Sequence, residues 1–408
     1  MPTNRQDHPI VSIGSKSSLI LLGLVLALLL AEFAARQLPG RPYIEDNGTL
    51  WECDRLVGWR GKRNDTAIVN TEGYIHKVRK NSAGMHDGEH SLEKGDNVFR
   101  ILVMGDSFVE ARQVEEAETS HQVLEEFLNE TAPPPLRFEV ISAGSIAWGP
   151  AQEFMYFRTE GKYYKPDLIL GYWYPANDLM DILPDHRMTF DGTNCYAPYF
   201  TICRDEFDPE PWFSAPGLSP TLGNCSPLKK GFASMLNRVY FNSRLYQRLE
   251  PWLVKRQLRI KYTHNFSPWL EGSSDPTLAA AYRITEGIYT HLANEANEAG
   301  AEFALVIVPL KEAIYDEIDP AFQKELEAKY PELKNGNPQL PNQKLTELMA
   351  ARNIALLDLQ PAFVDYLKGG GGVLYGHIDS HWNVPGNQLA GKLIAQWLIA
   401  KRLVPADP

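Results

Sequence analysis

The sequence predicts a parallel, doubly wound α/β sheet, and three observations carry that prediction. Apolar runs of strand length alternate with stretches of helical spacing. The first run, Ile101-Leu102-Val103-Met104, breaks off in Gly105-Asp106-Ser107. A second polar run, Asp379-Ser380-His381-Trp382, lies near the far end of the chain. A parallel strand that stops abruptly can present a serine hydroxyl at the carboxyl edge of a sheet, where open α/β folds place their sites.

The elements follow in order. Phe99 to Met104 reads as the first strand, because an unbroken apolar run suits a strand buried on both faces. Glu115 to Glu130 has helical spacing at Val123, Leu124, Phe127 and Leu128. Phe138 to Ile141 is a second strand, Pro150 to Gly161 a helix with Phe154 and Phe157 on one face, and Pro166 to Trp173 a third strand. Strand, helix, strand, helix, strand is the pattern of a parallel doubly wound sheet. Alternation breaks over 186–275, where Pro, Gly and cysteines mix with the aromatics Tyr196, Tyr199, Phe200, Trp212, Phe213, Trp252 and Trp269. A stretch this long with little periodicity reads as an insertion or lid. Alternation then resumes with a helix over Thr277–Ala299, a strand over Phe303–Pro309, a helix over Asn342–Ala350, a strand over Ile354–Leu359 and a last helix over Leu389–Lys401.

A chain of 408 residues sets a prior of about two to three domains. We divide it into residues 1–40, a lead-in of short strands over 41–97, and a catalytic domain over 98–405 that includes the 186–275 insertion. The formal net charge of -11 and the lack of any Lys/Arg-rich cluster argue against a nucleic-acid partner. Leu19 to Ala31 carries no polar side chain, and 17–35 adds only Glu32 as an acid. That is borderline for a bilayer span and sits at the start of the chain. Arg5 and Lys16 precede it, and no small-x-small cleavage site follows. An uncleaved membrane anchor is therefore favoured over a cleaved signal peptide, with the rest of the chain extracytoplasmic. The four cysteines, Cys53, Cys195, Cys203 and Cys225, suit an exported chain and allow three pairings. Sequons occur at Asn47, Asn64, Asn129, Asn224 and Asn265.

A serine hydroxyl needs a base to take its proton and a third group to orient that base. Ser107 is the candidate nucleophile, His381 the base and Asp379 its orienter, since residues two apart on an extended segment share a face. Acyl transfer also needs donors for an oxyanion. The candidates are the backbone N–H of Ser107, the side chain of Asn177 beyond the third strand, and the loop 142–149 beyond the second. Three strand ends would thus converge on one crevice. Asp106, Arg112, Trp148, Tyr174 and Trp382 flank these motifs as candidates for the pocket wall.

Gly105-Asp106-Ser107, the small-residue loop at 142–149, Asn177 and Asp379…His381 occur in an order that resembles the SGNH (GDSL-type) hydrolases. The likeness covers about 98–185 and 300–402. It implies a flavodoxin-like three-layer α/β/α fold, a Ser/His/Asp triad of Ser107, His381 and Asp379, and an oxyanion hole of Ser107, Ala147 and Asn177, with Gly144 as a further donor. No cofactor is implied. The sequence departs from the family at two points. The acid stands two residues before the histidine, where most members place it three before; this Asp-x-His-Trp form is similar to the branch of alginate O-acetyltransferase-like proteins, which modify exported polysaccharides. Ala147 stands where a glycine is usual. The activity implied is that of a membrane-anchored esterase or O-acyltransferase acting on carbohydrate O-acyl, chiefly acetyl, esters. A membrane protein could supply the acyl group.

Two other readings compete. His377, Asp379 and His381 form His-x-Asp-x-His, which on a strand would place a metal-ligand set for a phosphoesterase on one face. Alternatively, the aromatics of 186–275 form a surface that binds glycan or an envelope protein without catalysis.

Overall fold

The computed structural model describes residues 21–24, 26, 45–46, 50–184, 186–190, 193–213, 225–242, 276–318, 324 and 337–405. The apolar segment at 17–35 lies almost wholly outside them, as do Trp252, Trp269, Asn47, Asn224 and Asn265. Among the described residues no helix is long and apolar enough to cross a membrane.

The lead-in builds two small antiparallel sheets. Strand β1 (Glu45–Asp46) pairs with β4 (Thr66–Thr71), which pairs with β5 (Tyr74–Arg79); β2 (Trp51–Asp54) pairs with β3 (Gly58–Gly61). Period-2 alternation explains how they pack. Ala67, Val69, His76 and Val78 point inward, while Ile68, Ile75 and Lys77 face solvent.

The central sheet has five strands, all parallel: β6 (Val98–Gly105), β7 (Arg137–Gly144), β8 (Leu168–Trp173), β13 (Glu302–Ile307) and β14 (Ala355–Asp358). Their order is β14-β13-β8-β6-β7. Counted within the sheet this is 2-1-3-4-5, the flavodoxin-like order, and its switch point lies between β6 and β8. Side chains alternate between two helical layers. Leu102 and Met104 join one cluster with Phe154, Ile284, Ile288 and Leu292. Ile101 and Val103 join the other with Leu124, Leu128, Ile394 and Leu398. Each fully buried aliphatic side chain contributes about 1.5–3 kcal/mol. A three-layer α/β/α architecture results.

Helices span Ser120–Thr131, Pro150–Thr159, Pro276–Glu298, Leu340–Ala351 and Val384–Ala400. The last begins five residues earlier than its apolar spacing indicates, because Asn383 caps it by accepting from Gly386 N–H at 3.0 Å and Pro385 follows in the first turn. Among the described residues five α-helices escape a reading by periodicity: Ser107–Glu110, Asp178–Asp181, Pro227–Asn242, Lys311–Ile318 and Gln360–Lys368.

The described part of the insertion is ordered structure. Strand β9 (Arg187–Phe190) pairs with β10 (Thr193–Tyr196), and β11 (Pro198–Cys203) with β12 (Glu206–Phe213); a helix over Pro227–Asn242 follows. Disulfides join Cys53 to Cys195 and Cys203 to Cys225. Of the insertion's aromatics among the described residues, Tyr199, Phe200 and Trp212 pack in the core, while Tyr196 and Phe213 are half-buried. Phe200 is fully buried against Phe154, and Tyr199 and Trp212 are nearly so. Strand β11 is buried over four successive residues, Pro198–Thr201, so the adjacent Tyr199 and Phe200 are both covered, and β11–β12 lies on the layer formed by helices 150–159 and 276–298.

Candidate active site

The site stands on the carboxyl ends of β6 and β8. Strand β6 ends at Gly105, where a Cβ would collide with Val109 and press on Tyr172. Asp106 then caps the four-residue helix by accepting from Phe108 N–H at 2.9 Å. Ser107 is the first helical residue, so its N–H has no partner within the helix. It is also the one residue between Ile101 and Glu110 that is not buried. The far end of this short helix is tied down by a fully buried pair: Lys80 Nζ lies 2.5 Å from Glu110 Oε1, which also accepts from Trp51 Nε1 at 2.9 Å.

His381 reaches Ser107 from the other end of the chain. Its Nε2 lies 2.7 Å from Ser107 Oγ, and its Nδ1 lies 2.6 Å from Asp379 Oδ1. Asp379 Oδ1 also accepts from His381 N–H at 3.2 Å. Asp and His therefore meet through a bend at 377–379 rather than through an extended strand. Burial pushes the Asp379 carboxyl up, but the bond and charge of His381 outweigh it and hold the group below its ordinary value. The carboxylate stays ionised beside the imidazole, as an orienting acid must.

The same bend removes the metal reading. His381 directs both ring nitrogens at Ser107 and Asp379, and His377 is exposed. Among the described residues no group of three or more His, Cys, Asp or Glu is placed to hold a metal ion.

Ala147 occupies the left-handed region with φ 52°, the conformation that favours glycine. The loop around it is held from outside. Trp59 Nε1 donates to Ile146 O at 2.6 Å, Trp148 Nε1 donates to Trp59 O at 2.8 Å, and His186 Nε2 donates to Ala147 O at 2.9 Å. Gly144 lies within β7, where a Cβ would collide with the backbone of Val109 and Glu110.

Several expected roles need correction. Asn177 Nδ2 donates to Asp181 Oδ2 at 2.8 Å and faces Asp106 Oδ2 at 3.5 Å. Its amide is aimed at the part-buried Asp181 and the buried Asp106 instead of standing free for an oxyanion. Trp148 and Trp382 are both fully buried and Asp106 is 2% exposed, so none of the three lines an open pocket. Trp382 supports the site from beneath: its ring lies 5.0 Å from Phe108, which in turn lies 5.0 Å from the His381 ring. Tyr174 is also buried and packs on Phe108 at 4.6 Å. Arg112 is half-buried with its guanidinium 5.1 Å over the Trp51 ring, and its charge helps to keep Asp379 ionised.

Buried acids collect around Asp106. Burial pushes the Asp106 carboxyl up to about 6, against the Phe108 N–H bond and the charge of His381. Burial, with the nearby Asp106, pushes Glu153 well up; both its oxygens lack a hydrogen-bond partner. Asp178 is raised in the same way. Charge repulsion among buried carboxyls disfavours ionising all three together.

Two residues that sequence reasoning missed complete the frame. Glu72, from the turn between β4 and β5, accepts from His377, Ile378 and Asp379 N–H, each at 2.7 Å. Burial raises its carboxyl, but those three bonds outweigh the effect and hold it below its ordinary value. Lys311 Nζ donates to Gly376 O at 2.7 Å and His377 O at 3.0 Å. No local pattern marks either residue.

No family model and no curated protein matches the chain. Among solved structures it is similar to an acetyl xylan esterase at 12% identity, covering 73% of this chain and 98% of that one, with a TM-score of 0.36. It is similar to the lipase/acylhydrolase from Enterococcus faecalis at 14% identity, covering 76% and 100%, with a TM-score of 0.36. An acetylxylan esterase from Geobacillus stearothermophilus is similar at 11% identity, covering 73% and 93%, with a TM-score of 0.35. Likenesses this loose carry no conclusion about activity, which must come from the geometry of the site.

Proposed function

We propose that the chain is a serine ester hydrolase or O-acyltransferase of the SGNH type, acting through an acyl-Ser107 intermediate. The single observation that carries this reading is the relay Ser107 Oγ, His381 Nε2, His381 Nδ1, Asp379 Oδ1, with steps of 2.7 and 2.6 Å, at the switch point of the sheet.

Ser107 Oγ attacks the ester carbonyl while His381 Nε2 takes its proton. The negative charge that develops on the carbonyl oxygen meets the Ser107 N–H and the backbone N–H of Ala147. His381 then returns the proton to the departing alcohol oxygen and leaves acyl-Ser107. A water, or the hydroxyl of a bound acceptor, gives its proton to His381 and attacks the acyl carbon. Ser107 recovers its proton and the acyl group departs as acid or as a new ester.

The substrates on this reading are carbohydrate O-acyl esters, with acetyl as the group carried. A membrane partner that delivers the acyl group belongs to the transferase version. The chain is held at a membrane by residues 17–35, with the catalytic domain outside the cytoplasm. The apolar character of that segment and the two disulfides support this placement. The test is to incubate the full chain with an acetylated oligosaccharide and an unacetylated one, then assay free acetate and acetyl moved to the acceptor. Either product, absent in Ser107→Ala, supports the reading and separates hydrolysis from transfer. Neither product with any acetylated glycan contradicts the carbohydrate assignment.

A further inference from the structure

We propose that Glu72 is a positioning residue for the catalytic relay, locking the loop that carries Asp379 from outside the α/β core. The proposal rests on the serine acyl reading and adds a lead-in residue to that machinery.

Apolar packing does little to hold the loop 376–379, whose ends are joined by Gly376 N–H donating to His381 O at 3.0 Å. His377 is exposed and Ile378 is 53% exposed, so apolar burial does not fix its shape. Its polar groups are gripped instead by two opposite charges. The Glu72 carboxylate takes three successive N–H groups: His377 on Oε2, and Ile378 and Asp379 on Oε1. The Lys311 ammonium takes the carbonyls of Gly376 and His377, with Asp379 O further out at 3.4 Å. Hydrogen bonds to charged groups are about twice as strong as neutral ones. Space is reserved for the grip. A Cβ at Gly376 would come within 2.9 Å of Glu72 Oε1 and of Asp379 Cβ, so a larger residue would push the carboxylate off the loop. Glu72 and Gly73, with φ 51° and 97°, form the two-residue turn of the β4–β5 hairpin, which fixes the point from which the carboxylate reaches the loop.

The consequence runs directly to chemistry. Asp379 donates its N–H to Glu72 and presents its Oδ1 to His381. Releasing the backbone lets the carboxylate drift from Nδ1, and His381 loses its orienter. Misplacing a catalytic group by about 1 Å can cost about 10²-fold in rate.

The test compares the full chain with Glu72→Ala, Glu72→Gln and Lys311→Met. Backbone hydrogen exchange over 374–382 is read by mass spectrometry, beside kcat and KM for an aryl acetate. In Glu72→Ala, exchange of the 377–379 amides rises about tenfold or more. There kcat falls about 10²-fold while KM stays within about twofold. Glu72→Gln, which keeps one acceptor oxygen, falls between. Should Glu72→Ala fail to fold, Glu72→Gln and Lys311→Met make the same comparison, each expected to raise exchange and lower kcat. Wild-type exchange at 377–379, or faster exchange with unchanged kcat, overturns the proposal. A wild-type chain without Ser107-dependent turnover contradicts the acyl reading instead, and the exchange data still decide whether Glu72 holds the loop.

Discussion

Trp148 donates its indole N–H to the carbonyl of Trp59, and Trp59 donates its own to Ile146, two residues before Trp148. The lead-in hairpin and the loop beyond β7 thus hold each other. Trp59→Phe keeps most of the buried ring but leaves Ile146 O without its donor. A buried acceptor left unpaired costs about 1–3 kcal/mol. Denaturant unfolding should show that loss, and ester turnover should fall as the loop around Ala147 loosens. Unchanged turnover in the folded variant would remove the loop from the catalytic frame.

Asp379→Asn tests the orienting role. The amide has nearly the shape of the carboxylate but cannot stabilise an imidazolium on Nδ1. In serine-triad chemistry this change lowers kcat by about 10⁴-fold. Single-turnover kinetics of the variant should show slow acylation with little change in melting temperature. A loss of under about tenfold would mean that His381 is oriented by something else.

The elements legible in the sequence are those whose cause is local. Strands buried on both faces leave continuous apolar runs, so β6, β8 and β13 are readable within a residue or two. Ser107 is legible because a polar motif stands where an apolar strand ends, and Asp379 and His381 because the polar run Asp-Ser-His stands just ahead of the last helix. Their exact meeting is not, because Asp379 and His381 join through a bend that i, i+2 reasoning does not describe. The helix Ser107–Glu110 is too short to show a period. Glu72, Lys80, Trp59 and Lys311 act on partners far away in sequence, and nothing near them records it. The aromatics of 198–213 show no period-2 signal because β11 is covered on both faces, with the adjacent Tyr199 and Phe200 both buried.

The disulfide between Cys53 and Cys195 crosses a sequence separation of 142 residues and ties β2 to β10. Constraining the unfolded chain in this way typically contributes about 2–4 kcal/mol. The double substitution Cys53→Ser, Cys195→Ser should lower stability by that amount in chemical denaturation. Activity at low temperature should survive, since neither cysteine touches the relay. An unchanged unfolding midpoint would contradict the contribution.

Glu153 gives a pH-dependent prediction. Its folded carboxyl titrates well above its ordinary 4.5 because it is buried beside Asp106. The folded state therefore holds the proton more tightly than the unfolded state. Its stabilising effect is complete below the unfolded value and is lost as pH rises toward the folded one. Glu153→Gln removes that loss. The melting temperature of the variant relative to wild type should rise as pH climbs above about 4.5, the ordinary value for this group. A difference that stays constant across that range would show that Glu153 does not hold the proton.

The central claim is a nucleophilic Ser107, and the most direct measurement is turnover of p-nitrophenyl acetate by the full chain beside Ser107→Ala. A burst or steady release of nitrophenol in the wild type, abolished in the variant, with acetyl mass found on the peptide that carries Ser107, is the predicted result. Equal release from both folded proteins, or acetyl mass on another residue, would contradict it.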